Sequence, residues 1–142
     1  PYPFRSVATT GTSICQDLRK MDEATVQQAK RSVAEMKMLR PLWQGDYYPL
    51  FNISLDDTMW SGWQFHRADL DKGFAMVFRR EHSPYSLAQV TLRGLDPQAK
   101  YSVRFADADR TEVLTGAQLQ SWQAAIDAPA KSLLIVYERK RN

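Results

Sequence analysis

From about residue 56 onward the sequence predicts a mainly β fold, an antiparallel sandwich or barrel, preceded by a buried strand and one helix. Three observations carry this expectation. The apolar residues change from a helical period to a period of two after residue 55. Short alternating runs are then separated by turn signals such as Asp71-Lys72-Gly73 and Asp96-Pro97. Ahead of both, a small, β-branched and nearly uncharged run at residues 6–18 leads into an amphipathic stripe.

The run at residues 6–18, Ser-Val-Ala-Thr-Thr-Gly-Thr-Ser-Ile-Cys-Gln-Asp-Leu, suits a strand covered on both faces. Such a strand needs neighbours, and no partner is visible in the first fifty residues, so it is expected to belong to a larger sheet. Asp22 then offers an N-cap, Glu23 places negative charge in the first turn, and Val26, Ala29, Val33 and Met36 share one helical face. Lys37 and Arg40 put positive charge at the far end, and Pro41 biases Arg40 away from helical geometry, so the helix should stop near Leu39. Strand followed by helix is half of a βα unit.

In the β part, Met59, Ser61, Trp63 and Phe65 alternate with Trp60, Gly62, Gln64 and His66, and Phe74, Met76 and Phe78 alternate with Ala75, Val77 and Arg79. Further runs follow at Ala88, Val90 and Leu92, at Tyr101, Val103 and Phe105, and at Leu133, Ile135 and Tyr137. Pro97 cannot donate to a ladder and marks a turn before Tyr101. Residues 115–126 read as a short helix or turn crossing from one sheet to the other.

With 142 residues, 44% hydrophobic and 25% charged, the chain can bury a core and is far from the composition of a disordered segment. Its single cysteine, Cys15, excludes an internal disulfide framework and leaves the compartment open. No apolar run approaches the length of a membrane span, and the start, Pro-Tyr-Pro-Phe-Arg, lacks the pattern of a signal peptide. The absent initiator methionine and the orphan strand together suggest a processed product or a fragment. The net charge of +3 is mostly local, in the tail Arg139-Lys140-Arg141 and the pair Arg79-Arg80. Without a basic stripe interleaved with aromatics, no nucleic-acid partner is expected.

Carboxylates are the first place to look for acid/base chemistry. Asp56-Asp57 would point to opposite faces of a strand, and Asp69 and Asp71 flank a turn, whereas glycosidases need two carboxyls facing one substrate. Asp107, Asp109 and Glu112 lack the glycine and the distal glutamate of a calcium loop and read as a polar hairpin tip. His66 and His82 have no third ligand at a recognisable spacing, and Cys15 lies in an apolar run without a nearby histidine. No catalytic residue, metal or cofactor is therefore assigned. Trp60 and Trp63 would face opposite sides of one strand; Trp63 is expected in the inter-sheet core and Trp60 is the candidate for stacking on a sugar.

Residues 13–21, Ser-Ile-Cys-Gln-Asp-Leu-Arg-Lys-Met, resemble the last barrel strand and following loop of the α-galactosidase (melibiase) clan of glycoside hydrolases. The helix closing on Arg-Pro-Leu-Trp-Gln-Gly-Asp-Tyr-Tyr-Pro-Leu, residues 40–50, resembles the final barrel helix and junction of that clan's family 36. Gly-Phe-Ala-Met-Val-Phe-Arg-Arg at residues 73–80 and Leu-Arg-Gly-Leu-Asp-Pro-Gln-Ala-Lys-Tyr-Ser-Val at residues 92–103 are similar to that family's C-terminal β-sandwich.

The resemblance implies three parts. Residues 1–40 would end a (β/α)8 catalytic barrel with its last strand and helix, residues 41–55 would form a junction, and residues 56–142 an antiparallel sandwich. In the junction, prolines would stiffen the chain while Trp43, Tyr47 and Tyr48 pack the parts together. The parent would cleave α-linked glycosides with retention, its nucleophile and acid/base lying on earlier strands. Within the chain itself the expected role is accessory, packed on the catalytic barrel and meeting carbohydrate through the parent. Parted from its barrel, the N-terminal segment would be either loosely held or paired with another copy in a homo-oligomer. A carbohydrate-binding module working through Trp60, and a structural or partner-binding sandwich, are the alternatives.

Overall fold

The computed structural model describes residues 1–10 and 17–141. They divide into two compact units, Pro1–Pro41 and Leu42–Asn142.

In the first unit, helix α1 spans Tyr2–Ser6, 3-10 turns follow at Ala8–Thr10 and Leu18–Lys20, and helix α2 spans Glu23–Leu39. The expected strand at residues 6–18 is therefore corrected over residues 6–10, which are the end of a helix, a turn and a 3-10 segment; residues 11–16, including Cys15, lie outside the described residues. An extended strand leaves its amides unpaired without a neighbour, whereas helical turns satisfy them locally. Arg5 holds this segment by a two-pronged ion pair to Glu35 of α2, with Nε to Oε1 at 2.7 Å and Nη2 to Oε2 at 2.6 Å.

Helix α2 begins as its sequence dictates. The Asp22 carboxylate accepts from the Thr25 backbone N–H and the Thr25 hydroxyl, both at 2.8 Å, and these bonds hold its pKa below the usual range. The other end differs in detail from expectation. Arg40 keeps right-handed helical angles, φ −49° and ψ −44°, and the chain tightens into a 3-10 turn at Arg40–Gln44 rather than unwinding. The α ladder still ends at Leu39, because Pro41 has no N–H to extend it.

Among the described residues, the second unit contains eight strands: β1 Asp46–Pro49, β2 Ser61–Arg67, β3 Lys72–Arg79, β4 Leu87–Val90, β5 Lys100–Phe105, β6 Arg110–Thr115, β7 Trp122–Ala125 and β8 Lys131–Arg139. Six form one sheet in the order β1-β2-β3-β8-β5-β6, and β4 pairs with β7 in a second, two-stranded sheet. Every pairing is antiparallel. Strand β1 falls inside the expected junction yet pairs with β2, Asp46 opposite His66 and Pro49 opposite Trp63. As the edge strand it tolerates a proline that an inner strand could not. Helix α3, Gly116–Gln120, leads from the large sheet to the small one as expected, and starts on a capping box of Thr115 and Gln118.

The main core lies between the two sheets. Ala75 and Val77 of β3, Tyr101, Val103 and Phe105 of β5, and Ile135 and Tyr137 of β8 meet Val90 of β4 and Ala124 of β7, with Leu92, Leu95 and Leu119 closing the ends. On the opposite face of the large sheet, Phe74, Met76, Phe78 and Leu134 are also buried. Strand β3 is thus apolar on both faces, which a simple alternating pattern does not announce.

Candidate functional site

Part of the polar interior of the β unit is a network around Gln64. Its side-chain amide donates to the Arg93 carbonyl at 2.8 Å and to the Tyr137 hydroxyl at 2.7 Å, and its carbonyl oxygen accepts from the Arg93 backbone N–H at 2.8 Å. The Tyr137 hydroxyl in turn lies 3.2 Å from His66 Nδ1. Having accepted from Gln64, the hydroxyl is set to donate to a neutral imidazole. Burial pushes the His66 pKa below its usual value, against the pull of Asp71 and Asp46, and pushes that of Tyr137 up. Gly94, at φ +75°, makes room for this arrangement, since a Cβ there would sit 2.8 Å from the His66 ring.

His82 behaves in the opposite way. It is exposed and 2.7 Å from the Asp57 carboxylate, which raises its pKa. These are the chain's only histidines, so proton NMR should show two resolvable titrations on either side of the ordinary midpoint of 6.5. The signs follow from linkage: His66, depressed in the fold, supplies stability that is full above pH 6.5 and lost as pH falls through its folded value. His82, raised in the fold, supplies a solvent-screened contribution present below pH 6.5 and lost as pH rises through its own. Two coincident midpoints would contradict the buried geometry.

The adjacent arginines are consumed by the backbone. Arg79 is buried and donates from Nη1 to the Ile126 and Asp127 carbonyls at 3.0 and 2.8 Å, and from Nη2 to the Ser83 carbonyl at 3.1 Å. Arg80 donates from Nη1 to Ser54 and Asp56 carbonyls, each at 2.9 Å, and from Nη2 to Leu55 at 3.3 Å. One clamps the loops at the end of the sandwich and the other fastens residues 54–56. The adjacent basic pair of the sequence is thus a pair of loop anchors.

The candidate carboxylates are likewise engaged locally. Asp56 accepts from the Thr58 backbone N–H and hydroxyl at 2.9 and 2.7 Å. Asp69 forms a two-pronged pair with Arg67 at 2.7 and 2.6 Å, and Glu112 pairs with Arg110 at 3.0 Å. Asp107 accepts from the Leu134 backbone N–H at 3.0 Å, while Asp71 lies 3.8 Å from Arg139. A cleft of about 320 Å³ opens beside Asp96, Gln98, Lys100, Arg139 and Lys140. Among the described residues, Asp96 is the sole carboxylate on its wall and already binds Arg139 at 3.1 Å, so these residues do not form the facing pair of acids that glycoside hydrolysis requires.

The tryptophans exchange the places the alternation suggests. Trp60 is 6% exposed, lies in the inter-sheet core against Phe51, and donates from its indole N–H to the Tyr85 carbonyl at 3.1 Å. In this position it offers no open face for a sugar. Trp63 lies on the other face of the large sheet, tilted against Phe78 at 4.9 Å between ring centres. The exchange arises because β2 turns Gly62, Gln64 and His66 toward the buried side, and Trp60, one position before the strand, follows their parity.

Residues 60–122 match the model of the glycosyl hydrolase family 36 C-terminal domain. That segment is similar to a family 36 C-terminal domain. The matched segment runs from Trp60 to the first residue of β7 and contains Gln64, His66 and Arg93 of the network, the arginines Arg79 and Arg80 and the Gly94-Leu-Asp-Pro97 turn, while Tyr137 and the Ile126 and Asp127 carbonyls lie beyond it. In that turn the Asp96 carboxylate accepts from the Gln98 N–H at 3.0 Å and the Asp96 N–H donates to the Tyr101 hydroxyl at 3.0 Å. Among solved structures, α-galactosidase AgaB from Geobacillus stearothermophilus is 25% identical with a TM-score of 0.67, over 87% of this chain and 17% of its own. A variant of AgaA from the same organism, in complex with stachyose, is 24% identical with a TM-score of 0.68 over the same shares. The galactosidase domain of the α-galactosidase-sucrose kinase AgaSK is 19% identical with a TM-score of 0.67, over 86% and 17%. No curated protein matches. The chain thus spans about a sixth of the length of these solved chains.

Proposed function

We propose that this chain is the accessory C-terminal portion of an α-galactosidase-like glycoside hydrolase, whose two catalytic carboxylates lie outside these residues. The match of residues 60–122 to the family 36 C-terminal domain carries the reading. Residues 1–40 then close a (β/α)8 barrel with α2 as its last helix, and the β unit packs on that catalytic domain. The parent cleaves α-linked glycosides with retention, which needs a nucleophile and an acid/base about 5 Å apart. Support comes from the carboxylates described above, which are committed to caps, turns and ion pairs.

The test compares the natural gene product with this chain. A product several times heavier than 16.3 kDa that hydrolyses an aryl α-galactoside is expected, together with no turnover by the 142-residue chain. A natural product near 16.3 kDa, or turnover by this chain alone, would overturn the reading.

A further inference from the structure

Two of the largest apolar exposures in the β unit sit next to each other on one loop. Ile53 is 96% exposed and Leu55 98%, with Met59 at 50% on the same loop and Tyr85 at 71% on the adjoining one. Such side chains at the end of a floppy loop would mean little, because scattered surface leucines are ordinary. This loop is not floppy. Arg80 binds three successive carbonyls, those of Ser54, Leu55 and Asp56. Asp56 closes a turn on Thr58, Asp57 pairs with His82, and the Trp60 indole ties the end of the loop to Tyr85. The hydrogen bonds therefore run between the two loops that bear the apolar groups.

We infer that Ile53 and Leu55 form a preorganised apolar tip that docks on the catalytic domain of the same polypeptide, beyond these 142 residues. The inference rests on the accessory-domain reading and adds the surface by which the domain is held. Area argues for this occupant over a second copy. Two whole side chains and parts of two more amount to a few hundred Å², well short of the roughly 800 Å² per partner of a stable complex between separate molecules. A covalently joined domain faces its target at an effective concentration near millimolar, where so small a patch suffices. The solved chains that share this fold are each about five times its length, since 86% or 87% of this chain covers 17% of theirs, so a neighbour is present in each of them. Charge also permits burial, because the acidic residues flanking the tip already have partners in Thr58 and His82.

The tip can be tested by thiol labelling of the natural full-length product carrying Leu55→Cys. Maleimide uptake at the peptide containing residue 55 is followed by mass spectrometry, which separates it from Cys15. Uptake at least tenfold slower in the native product than in urea is expected, independent of protein concentration. Native uptake within about threefold of the urea rate, in a product of full size that hydrolyses an α-galactoside, would overturn the docking and leave the accessory reading standing. Protection that fades on dilution would assign the tip to a second copy and overturn it also. A product no larger than this chain would overturn both readings.

Discussion

Replacing Arg79 with methionine is expected to destabilise the β unit by about 3 kcal/mol or more. The change keeps most of the apolar stem but leaves the carbonyls of Ser83, Ile126 and Asp127 without their donor. A hydrogen bond to a charged group contributes roughly 1.5–3 kcal/mol, and an orphaned buried acceptor costs about 1–3 kcal/mol. A domain of this size loses roughly 4–8 °C of Tm for each kcal/mol, so a fall above about 10 °C should be visible by calorimetry. Arg79→Lys should restore less than half, since an ammonium keeps the charge but cannot fork toward two loops at once. A loss under about 1 kcal/mol for Arg79→Met would show that water replaces the guanidinium, and the anchor role would fall.

Gln64→Leu is the second large effect, expected at about 3 kcal/mol in urea denaturation. Leucine matches glutamine in bulk but strips partners from both polar groups of the Arg93 peptide and removes a donor to Tyr137. The network also predicts coupling. In a cycle with Tyr137→Phe, the double variant should be less destabilised than the sum of the single changes by about 1 kcal/mol, because each single change orphans the other's group. Strict additivity would mean that the 2.7 Å contact between them contributes nothing.

These residues show why the chain was only partly legible. Gln64 and His66 alternate correctly for a strand, but their polarity suggests the solvent side, and nothing nearby in sequence shows that Arg93 and Tyr137 will meet them. The opposite parity strengthens that suggestion, because Trp63 and Phe65, both large and apolar, share the other face of β2. Arg79 offered no signal either, because a guanidinium bonded to carbonyls from residues 83, 126 and 127 has no local pattern. Strands β1, β6 and β7 were missed for a related reason, since short edge strands of four to six residues with proline, threonine or glutamine have weak alternation.

By itself the sequence determined what depends on local geometry. Asp22 starts a helix whose α ladder ends before Pro41, Asp71 and Gly73 turn one strand into the next, and Asp96-Pro97 sets up the turn before Tyr101. Those choices follow from caps, φ limits and the alternation of side chains, all of which act within a few residues. Only the tertiary structure decided which face of β2 is buried, which tryptophan enters the core, and that the two arginines hold loops together. Each of those outcomes depends on contacts between residues 25 or more positions apart along the chain, such as Trp60 with Tyr85, Gln64 with Tyr137 and Arg79 with Ile126. Such contacts form only when the six-stranded and two-stranded sheets close over one another and exclude water from the groups between them.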